Sequence, residues 1–582
     1  MKKDNHIRQM LDLVRQEGIS SVDIETRGEG STVITSIAFT LNDGKSAFAI
    51  PLDGSYFTRM EEKALWSEIR KTLEAIKVVG QNFLFDWGIL ADYGVWDMRL
   101  AWDTMVAQHL LFTDFPRSLA SMVSLYTDRK PHKAMIHEDL YTYNALDVLT
   151  TWEVYCEQYN RFKPEELEYA EYVWRLHKPL IVMEKRGLYV DLSYKEQALK
   201  DMQSQLDEIQ ERLNNVTHRV VKPNSTQDLQ AYFYAEKGVK PYLNKTTGNP
   251  RVDKDALEKL SKWYPEASII LEYRKIQKLV TTYFNMTLDS DGRLRCQIKP
   301  TGTVTGRLAT SKTVYKTGGN LQNIPPAYGY CILPDPGYIF IEADLEQAEK
   351  RLVALITGDK NDIQDFKNGV DVHTRQAAKV LHKDESEVTK AERNKIGKPL
   401  NHATSYDVGY KTFANTAGIP QNEAYRILEK YHKEHPQLKK FFRKIRKDLA
   451  NSNVIYNLFG RPRSFYGYRD SQLYRSAYDY IPQSTTGDIC NRAIIDLYEQ
   501  GPSWLQLLMQ IHDSILVQVP DDENHVASAC EYIQKFFYYT FEYNGHTLDI
   551  PVEFNIGYRW NKKYLVEFKE NPREAYRQVS AG

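Results

Sequence analysis

Hydrophobic and polar positions follow three regimes along the chain. Up to about residue 165, short apolar stretches such as SSVDIE, TVITSIAFTL and SAFAIPL mix with longer helical patterns such as YTYNALDVLTTWEVY, so strands and helices are expected together. From there to about residue 290, loops alternate with helices in PNSTQDLQAYFY, KTTGNPRVDKDALEKL and LEYRKIQKLVTTYF, with Ser225 or Thr226 placed to cap a helix start. A mixed region follows. In it GYIFIEAD reads as an apolar strand ending at Asp344, after which Leu345, Ala348, Leu352 and Leu355 keep a helical spacing. WLQLLMQIHDSILVQVP has apolar stretches on both sides of His512 and Asp513, which predicts a hairpin with these two near its tip. HPQLKKFFRKIRKDLA predicts an amphipathic helix packed over a core.

A length of 582 residues predicts three or more domains and excludes a single small binding module. Gly and Pro are spread out, no repeat or low-complexity tract occurs, and the domains should pack closely. The five cysteines are scattered with no CxxC spacing, and there is neither a signal-like start nor a run of 18 apolar residues. A soluble, reduced, cytoplasmic protein is expected. Formal net charge is -1, so a polyanionic partner would have to meet local basic patches balanced by acidic clusters elsewhere.

Those acidic clusters are identifiable. Asp344 and Asp513 are isolated carboxylates in apolar settings, with the basic GKPLNHATSY between them. Two acids from distant segments can hold a pair of Mg²⁺ ions and clamp both oxygens of an in-line phosphoryl displacement. Lys398 and Arg393 offer cations for phosphates, and Tyr406 an aromatic face for a base. Near the amino terminus, Asp23 and Glu25 lie two apart on a strand and so share a face, while Tyr143 and Asp147 lie one helical turn apart, and Asp86 sits in VVGQNFLFDWGIL. Oxygen ligands of this kind suit Mg²⁺ or Mn²⁺. Asp103 of AWDTMVAQHLL reads as a structural or capping residue.

These motifs resemble the family A, DNA polymerase I-like DNA polymerases over nearly the whole chain, and DIET, NFLFD and YNALD match in order the three motifs of DEDDy 3′–5′ proofreading exonucleases. The resemblance implies a multidomain α/β and α+β fold. An RNase H-like exonuclease domain at 1–165 would be followed by a right-hand polymerase, with thumb and connecting helices at 166–300, palm at 301–370, fingers at 371–460 and the rest of the palm at 461–582. It implies that Asp23, Glu25, Asp86 and Asp147 bind metal and that Tyr143 positions the attacking water. At the second site Asp344 and Asp513 would hold two Mg²⁺, with Mn²⁺ as an alternative, and Glu349 beside Gln347 would exclude a ribose 2′-hydroxyl. His373, Arg393, Lys398, His402 and Tyr406 would meet the incoming dNTP and the template base. Arg307 of TGRL, Asn323 of LQNIP, Arg475, Asp479, Gln483 and His512 would contact primer-template DNA, as would the thumb cations Lys245, Arg251, Lys254, Arg274, Lys275 and Lys278.

The departures from the family pattern fall mostly in the expected fingers. Asn394 stands where an arginine is usual, His402 where Phe or Tyr is, and Asp407 where glycine is, while Pro399 would remove a helix hydrogen bond and favour a kink. Asp479 replaces the usual Asn, and Ser514 the more common Glu. Template contact is the alternative use of the cations Lys439, Lys440, Arg443, Lys444, Arg446 and Lys447.

The leading expectation is a monomeric, template-directed DNA polymerase with proofreading. It would lack a 5′-nuclease, be of bacteriophage type, and work beside a helicase, primase or single-strand-binding protein. A degenerate polymerase that keeps only the exonuclease, and a non-enzymatic primer-template scaffold, are the competing readings. Against the scaffold, buried uncompensated carboxylates are costly unless they pair or bind metal.

Overall fold

The computed structural model of the protein describes residues 2–130 and 132–581. Near the amino terminus a five-stranded sheet has the order Ala47–Pro51, Ile34–Thr40, Ile19–Thr26, Lys77–Gly80, Arg99–Asp103. Its first three strands form an antiparallel meander and the last two run parallel to the central one. Strand Ile34–Thr40 is buried at every position, because helix Leu140–Tyr159 lies against the sheet. Asp103 closes the last strand and caps the next helix, accepting from the amides of Met105 and Val106 and from Phe83 N at 2.8 Å. This is the capping role its sequence context suggested.

The middle of the chain builds a core of its own. Helix Leu192–Thr217 packs on helix Pro265–Lys278 around Ile209, Leu213, Phe233 and Leu257, all buried. Ser225 caps the short helix Thr226–Gln230 by accepting from Asp228 N. The expected boundary at 165 falls inside helix Pro164–Trp174, and that helix and His177–Arg186 belong with the flanking units. Trp174 packs on Trp102, and the Tyr169 hydroxyl donates to Asp488 at 2.7 Å. Arg461 donates to the Tyr169 oxygen at 2.9 Å and reaches His109 Nδ1 at 3.1 Å. A buried polar joint therefore fixes the amino-terminal sheet to the carboxy-terminal half.

A second sheet, antiparallel throughout, has the order Gln506–Ile511, Ser514–Pro520, Tyr338–Leu345, Val552–Gly557, Val566–Phe568. The 30-residue helix Ser471–Gln500 packs behind it with 17 residues buried, so it reads as a central element with no single wet face. Helix Pro436–Ser452 buries Leu438, Phe441, Phe442, Ile445 and Leu449 and turns its cations outward, matching the amphipathic expectation. Among the described residues no helix is long and apolar enough to cross a membrane.

The segment 390–405 is broken into three pieces: a short turn Lys390–Glu392, a π-helical turn Arg393–Gly397, and helix Lys398–Ser405 with Pro399 in its first turn. Proline lacks the amide that a continuous helix would use, and the widened turn absorbs the missing bond. Gly397 is needed here because a Cβ would lie 2.0 Å from the carbonyl oxygen of His373 on the neighbouring helix. Asp407, at the position of the usual glycine, holds φ 54°. Asp is among the few side chains that tolerate this left-handed region.

Candidate active site

Strand geometry brings the two distant acids together. Asp344 is register partner to Ser514, and Leu345 N donates to Asp513 O at 3.1 Å. Asp513 completes the two-residue turn between strands Gln506–Ile511 and Ser514–Pro520, where His512 takes the positive φ of 54°. On the other side Asp344 pairs with Glu553, whose carboxylate meets Lys569 at 2.9 Å. Among the described residues neither Asp344 nor Asp513 is hydrogen-bonded or ion-paired to another side chain. Burial, then Asp513, then Glu342 and Glu553 push the Asp344 carboxyl up to about 8. Burial and Glu349 also raise Asp513, against the opposing pull of Arg307. Carboxylates gathered without a direct ion-pair partner fit hard divalent ions held by carboxylate oxygens.

The sequence-predicted cations converge only in part. Lys398 is exposed and makes no ion pair among the described residues; burial of its stem, Arg393 and Lys562 hold its pKa down, while Asp344 and Asp513 oppose them. Arg393 is already engaged, its Nε on Asp371. His373 was expected to face phosphate as a cation, and here the structure differs. Its Nδ1 meets the side-chain amide of Asn401 at 2.8 Å, and burial, then Arg393, pull its pKa down to about 3, so the ring is neutral. His402 is exposed and edge-on to Tyr406 at 5.0 Å.

Glu349 is the hub between these groups. Its carboxylate accepts from the Tyr406 hydroxyl at 2.9 Å and from the Arg307 guanidinium. Burial would lower the Arg307 pKa, but Glu349 outweighs it and holds the charge in place. Tyr406 was expected to offer its face to a template base; it is buried instead, 5% exposed, because its hydroxyl is drawn to Glu349. Asp479 faces the same cluster. Burial and Glu349 push it up to about 7, and its Oδ1 is buried without a hydrogen bond. Gln347, at φ 51°, stands at the N-cap position of the helix bearing Glu349 without a side-chain capping bond, its Oε1 buried and unsatisfied.

A second acid group forms on the amino-terminal sheet. Oxygens of Asp23, Glu25 and Asp147 lie within 4.8 Å of one another. Asp86 stands beside them with Oδ1 accepting from Ile24 N at 3.1 Å, and is not one of that closest trio. Burial, then Asp86, Asp147 and Glu25, raise Asp23 far above the ordinary range; Glu25 is pushed up to about 7 by burial and Asp147. Tyr143 sits over the group, its phenol pKa raised by burial and by Asp147. Two supporting residues carried no sequence signal. His132 Nε2 meets Asp147 Oδ1 at 2.7 Å, and Asn144 donates to Asp23 Oδ2 at 2.7 Å while accepting from Ser36.

The remaining nucleic-acid candidates divide by what already holds them. Arg475 and the exposed Asn323 make no side-chain bond among the described residues, and Gln483 holds the Asp479 carboxyl pKa down against the burial that raises it. His512 is exposed at the hairpin tip, where Gln322, unnoticed in the sequence, accepts from its amide and donates to Gln510 O at 2.8 Å. Among the thumb cations Arg274 is not available: its guanidinium donates to Pro223 O at 2.7 Å and Val252 O at 2.8 Å, tying two loops together. Arg251 pairs with Asp253 and Asp255, and Lys254 with Glu258. Lys245, Lys275 and Lys278 remain exposed without such partners among the described residues. Lys562, in the loop before strand Val566–Phe568, contributes positive potential at both Asp344 and Lys398 and was also missed.

A buried triad of Asp359, Asp362 and His435 also has ligand-like spacing. Lys350 occupies it, donating to Asp362 at 2.6 Å, which makes it an internal ion-pair network joining helix Ala348–Thr357 to the 421–452 helices.

Comparison with known proteins matches residues 193–562 to the family model "DNA polymerase family A". DNA polymerase I of Caldicellulosiruptor bescii is 29% identical over 378 residues, covering 60% of this chain and 43% of that protein. DNA polymerase I of Borreliella burgdorferi is 24% identical over an aligned length of 597, covering 95% of this chain and 63% of that one. The chain thus spans 43% and 63% of the length of these two curated relatives. These are bacterial proteins, so they lend no weight to a bacteriophage type. Among solved structures, the POL domain of Pol1 from M. smegmatis, in complex with DNA primer-template and dNTP, superposes with a TM-score of 0.81 at 21% identity, over 96% of this chain and 98% of that one.

Proposed function

The chain belongs to DNA polymerase family A, and on that premise we propose that it adds dNTPs to a primer 3′-hydroxyl under the direction of a template. The observation that carries this reading is the meeting of Asp344, near the end of its strand, with Asp513 in the adjoining hairpin turn, neither carboxylate ion-paired among the described residues. Bound Mg²⁺ would supply charge stabilisation to the attacking and leaving oxygens. Asp344 and Asp513 would hold it. Lys398 and Lys562 border the same acids and would neutralise triphosphate charge, a role that falls on them because Arg393 is tied to Asp371 and His373 is neutral. Fixed cations of this kind stabilise developing phosphate charge without reorganising. Glu349, braced by Arg307 and Tyr406, would stand beside the sugar and exclude a 2′-hydroxyl. No side-chain nucleophile is required.

The amino-terminal unit is proposed to be an RNase H-like 3′–5′ exonuclease in which Asp23, Glu25, Asp86 and Asp147 hold metal and Tyr143 orients water. The close approach of Asp23, Glu25 and Asp147 supports it. On this reading the polymerase parts follow the divisions 166–300, 301–370, 371–460 and 461–582, and the separate core within the first of these begins at Ile209.

The test is extension of a labelled primer-template with Mg²⁺, with and without dNTPs, for the parent, Asp513→Ala and Asp23→Ala. Template-length product that needs Asp513, together with shortening that needs Asp23 when dNTPs are left out, supports both sites. Shortening alone would leave only the nuclease, and binding without change would favour the scaffold.

A further inference from the structure

Where the amino-terminal unit meets the carboxy-terminal half lies an exposed aromatic platform that the proposed reaction leaves unused. Phe112 and Phe115, in the loop after helix Thr104–Leu111, stack at 5.3 Å, and Tyr466 packs on Phe115 at 5.6 Å from the carboxy-terminal half. The platform is wet: Phe115 is 38%, Tyr466 49% and Tyr468 92% exposed, and every residue from 466 to 472 is exposed. Large exposed rings clustered at a joint mark a binding surface more often than a packing fault. The backbone under the rings is fixed. Ser464 Oγ donates to Leu111 O at 3.1 Å, Gln81 donates to Arg117 O at 3.2 Å, and Arg117 reaches Thr301 O.

Guanidinium groups alternate with these rings. Arg463 lies beneath the surface, over the buried Phe465 at 4.4 Å and reaching Ser476 O; Arg469, exposed beside Tyr468, donates to Asn453 Oδ1 at 2.6 Å; Arg475 stands one turn into the next helix with no bond among the described residues. Of the nearby acids, Asp470 caps helix Ser471–Gln500, while Asp114 is exposed and acts electrostatically on Arg463. Rings for bases interleaved with cations for phosphates is the chemistry that holds an unpaired nucleic-acid strand.

Position along helix Ser471–Gln500 separates the two strands that such a surface could take. Arg307, proposed to meet the primer end, packs against Gly487, about 25 Å along the helix axis from residue 470 at the standard rise. The residues at the platform end of that helix point elsewhere. Tyr474 and Tyr478 meet Arg446, whose guanidinium lies 3.6 Å from Asp407, just past helix Lys398–Ser405, which carries the proposed triphosphate lysine Lys398.

We propose that Tyr466 and Tyr468, with Phe115, form a stacking platform for the unpaired template strand ahead of the polymerase site. This rests on the template-directed reading above. The test uses fluorescence anisotropy with one duplex, a dideoxy-terminated primer and no dNTP, in three forms: a one-nucleotide template overhang, a ten-nucleotide template overhang, and a frayed 3′ primer end. Base stacking on an aromatic ring is worth a fold-change on the order of ten per base. The parent should therefore bind the long overhang at least about tenfold more tightly than the short one. The double variant Tyr466→Ala/Tyr468→Ala should lose that gain, and Tyr466→Phe/Tyr468→Phe should keep it. An equal gain in the alanine variant, no gain in the parent, or a loss confined to the frayed primer would each overturn the platform. Single-nucleotide incorporation by the parent on the same duplexes, measured separately, tells whether the polymerase reading itself has failed.

Discussion

The Tyr406 hydroxyl donates to the Glu349 carboxylate at 2.9 Å, while Arg307 holds the same carboxylate from a loop that lies 42 residues earlier in the chain. One carboxylate thereby fixes both the buried ring that follows helix Lys398–Ser405 and the guanidinium expected to contact primer-template DNA. Tyr406→Phe keeps the ring and removes one neutral-to-charged hydrogen bond, worth about 1.5–3 kcal/mol. Glu349 should then be positioned less firmly. The ratio of kcat/KM for a dNTP to that for the matching NTP is expected to fall by roughly tenfold; an unchanged ratio would mean that Arg307 alone holds the gate.

Asp479 should make primer-template binding depend on pH. Its carboxyl is raised to about 7 by burial and Glu349, so it is protonated below that pH and adds a negative charge above it. Affinity for DNA should therefore weaken as pH rises from 6 to 8.5. Asp479→Asn removes the titration and should flatten that part of the curve, a comparison best made at fixed ionic strength because phosphate contacts are salt-dependent.

Arg274 and Lys275 are adjacent in sequence and should behave differently. Arg274→Ala leaves the carbonyls of Pro223 and Val252 without a donor, at about 1–3 kcal/mol for each buried acceptor, so thermal or urea unfolding should reveal a less stable middle unit. Lys275→Ala should leave stability unchanged and lower the slope of log K against log salt by about one if that ammonium meets a phosphate. Equal salt slopes for parent and Lys275→Ala would remove this lysine from the DNA surface.

His132 orients Asp147 through a 2.7 Å contact and has no other proposed task. Residues that orient a metal-holding carboxylate typically matter by 10–100-fold. His132→Ala is expected to slow primer shortening by about that factor and to raise the Mg²⁺ concentration needed for half-maximal rate, with extension in the presence of dNTPs little changed. A fall in shortening that no added Mg²⁺ relieves would point to a purely structural role.

Much of this molecule is legible without coordinates. The strand ending at Asp344, the hairpin at His512 and Asp513, the shared face of Asp23 and Glu25, and the helix bearing Tyr143 and Asp147 follow from periods of two and 3.6 and from turn chemistry, which are local properties of the chain. The family motifs added the roles. Less legible were the residues that support the sites: His132 and Lys562 have ordinary neighbours, Asn144 and Gln322 sit inside YNALD and LQNIP without an assigned role, and all four become significant only by proximity across long stretches of chain.

What the sequence by itself determined is which side chains can do the chemistry and on which face of which element each one lies, because side-chain direction is set by backbone geometry within a few residues. Which of them are free to act was decided only by the tertiary structure. Arg274 is spent on two carbonyls, His373 is neutral against Asn401, Arg393 is tied to Asp371 and Tyr406 is drawn inward by Glu349. The physical reason is that charge state and availability depend on burial and on partners brought close by folding. Lys398 and Asp344, with 53 residues between them in the chain, share one electrostatic environment only after the strands and helices have packed.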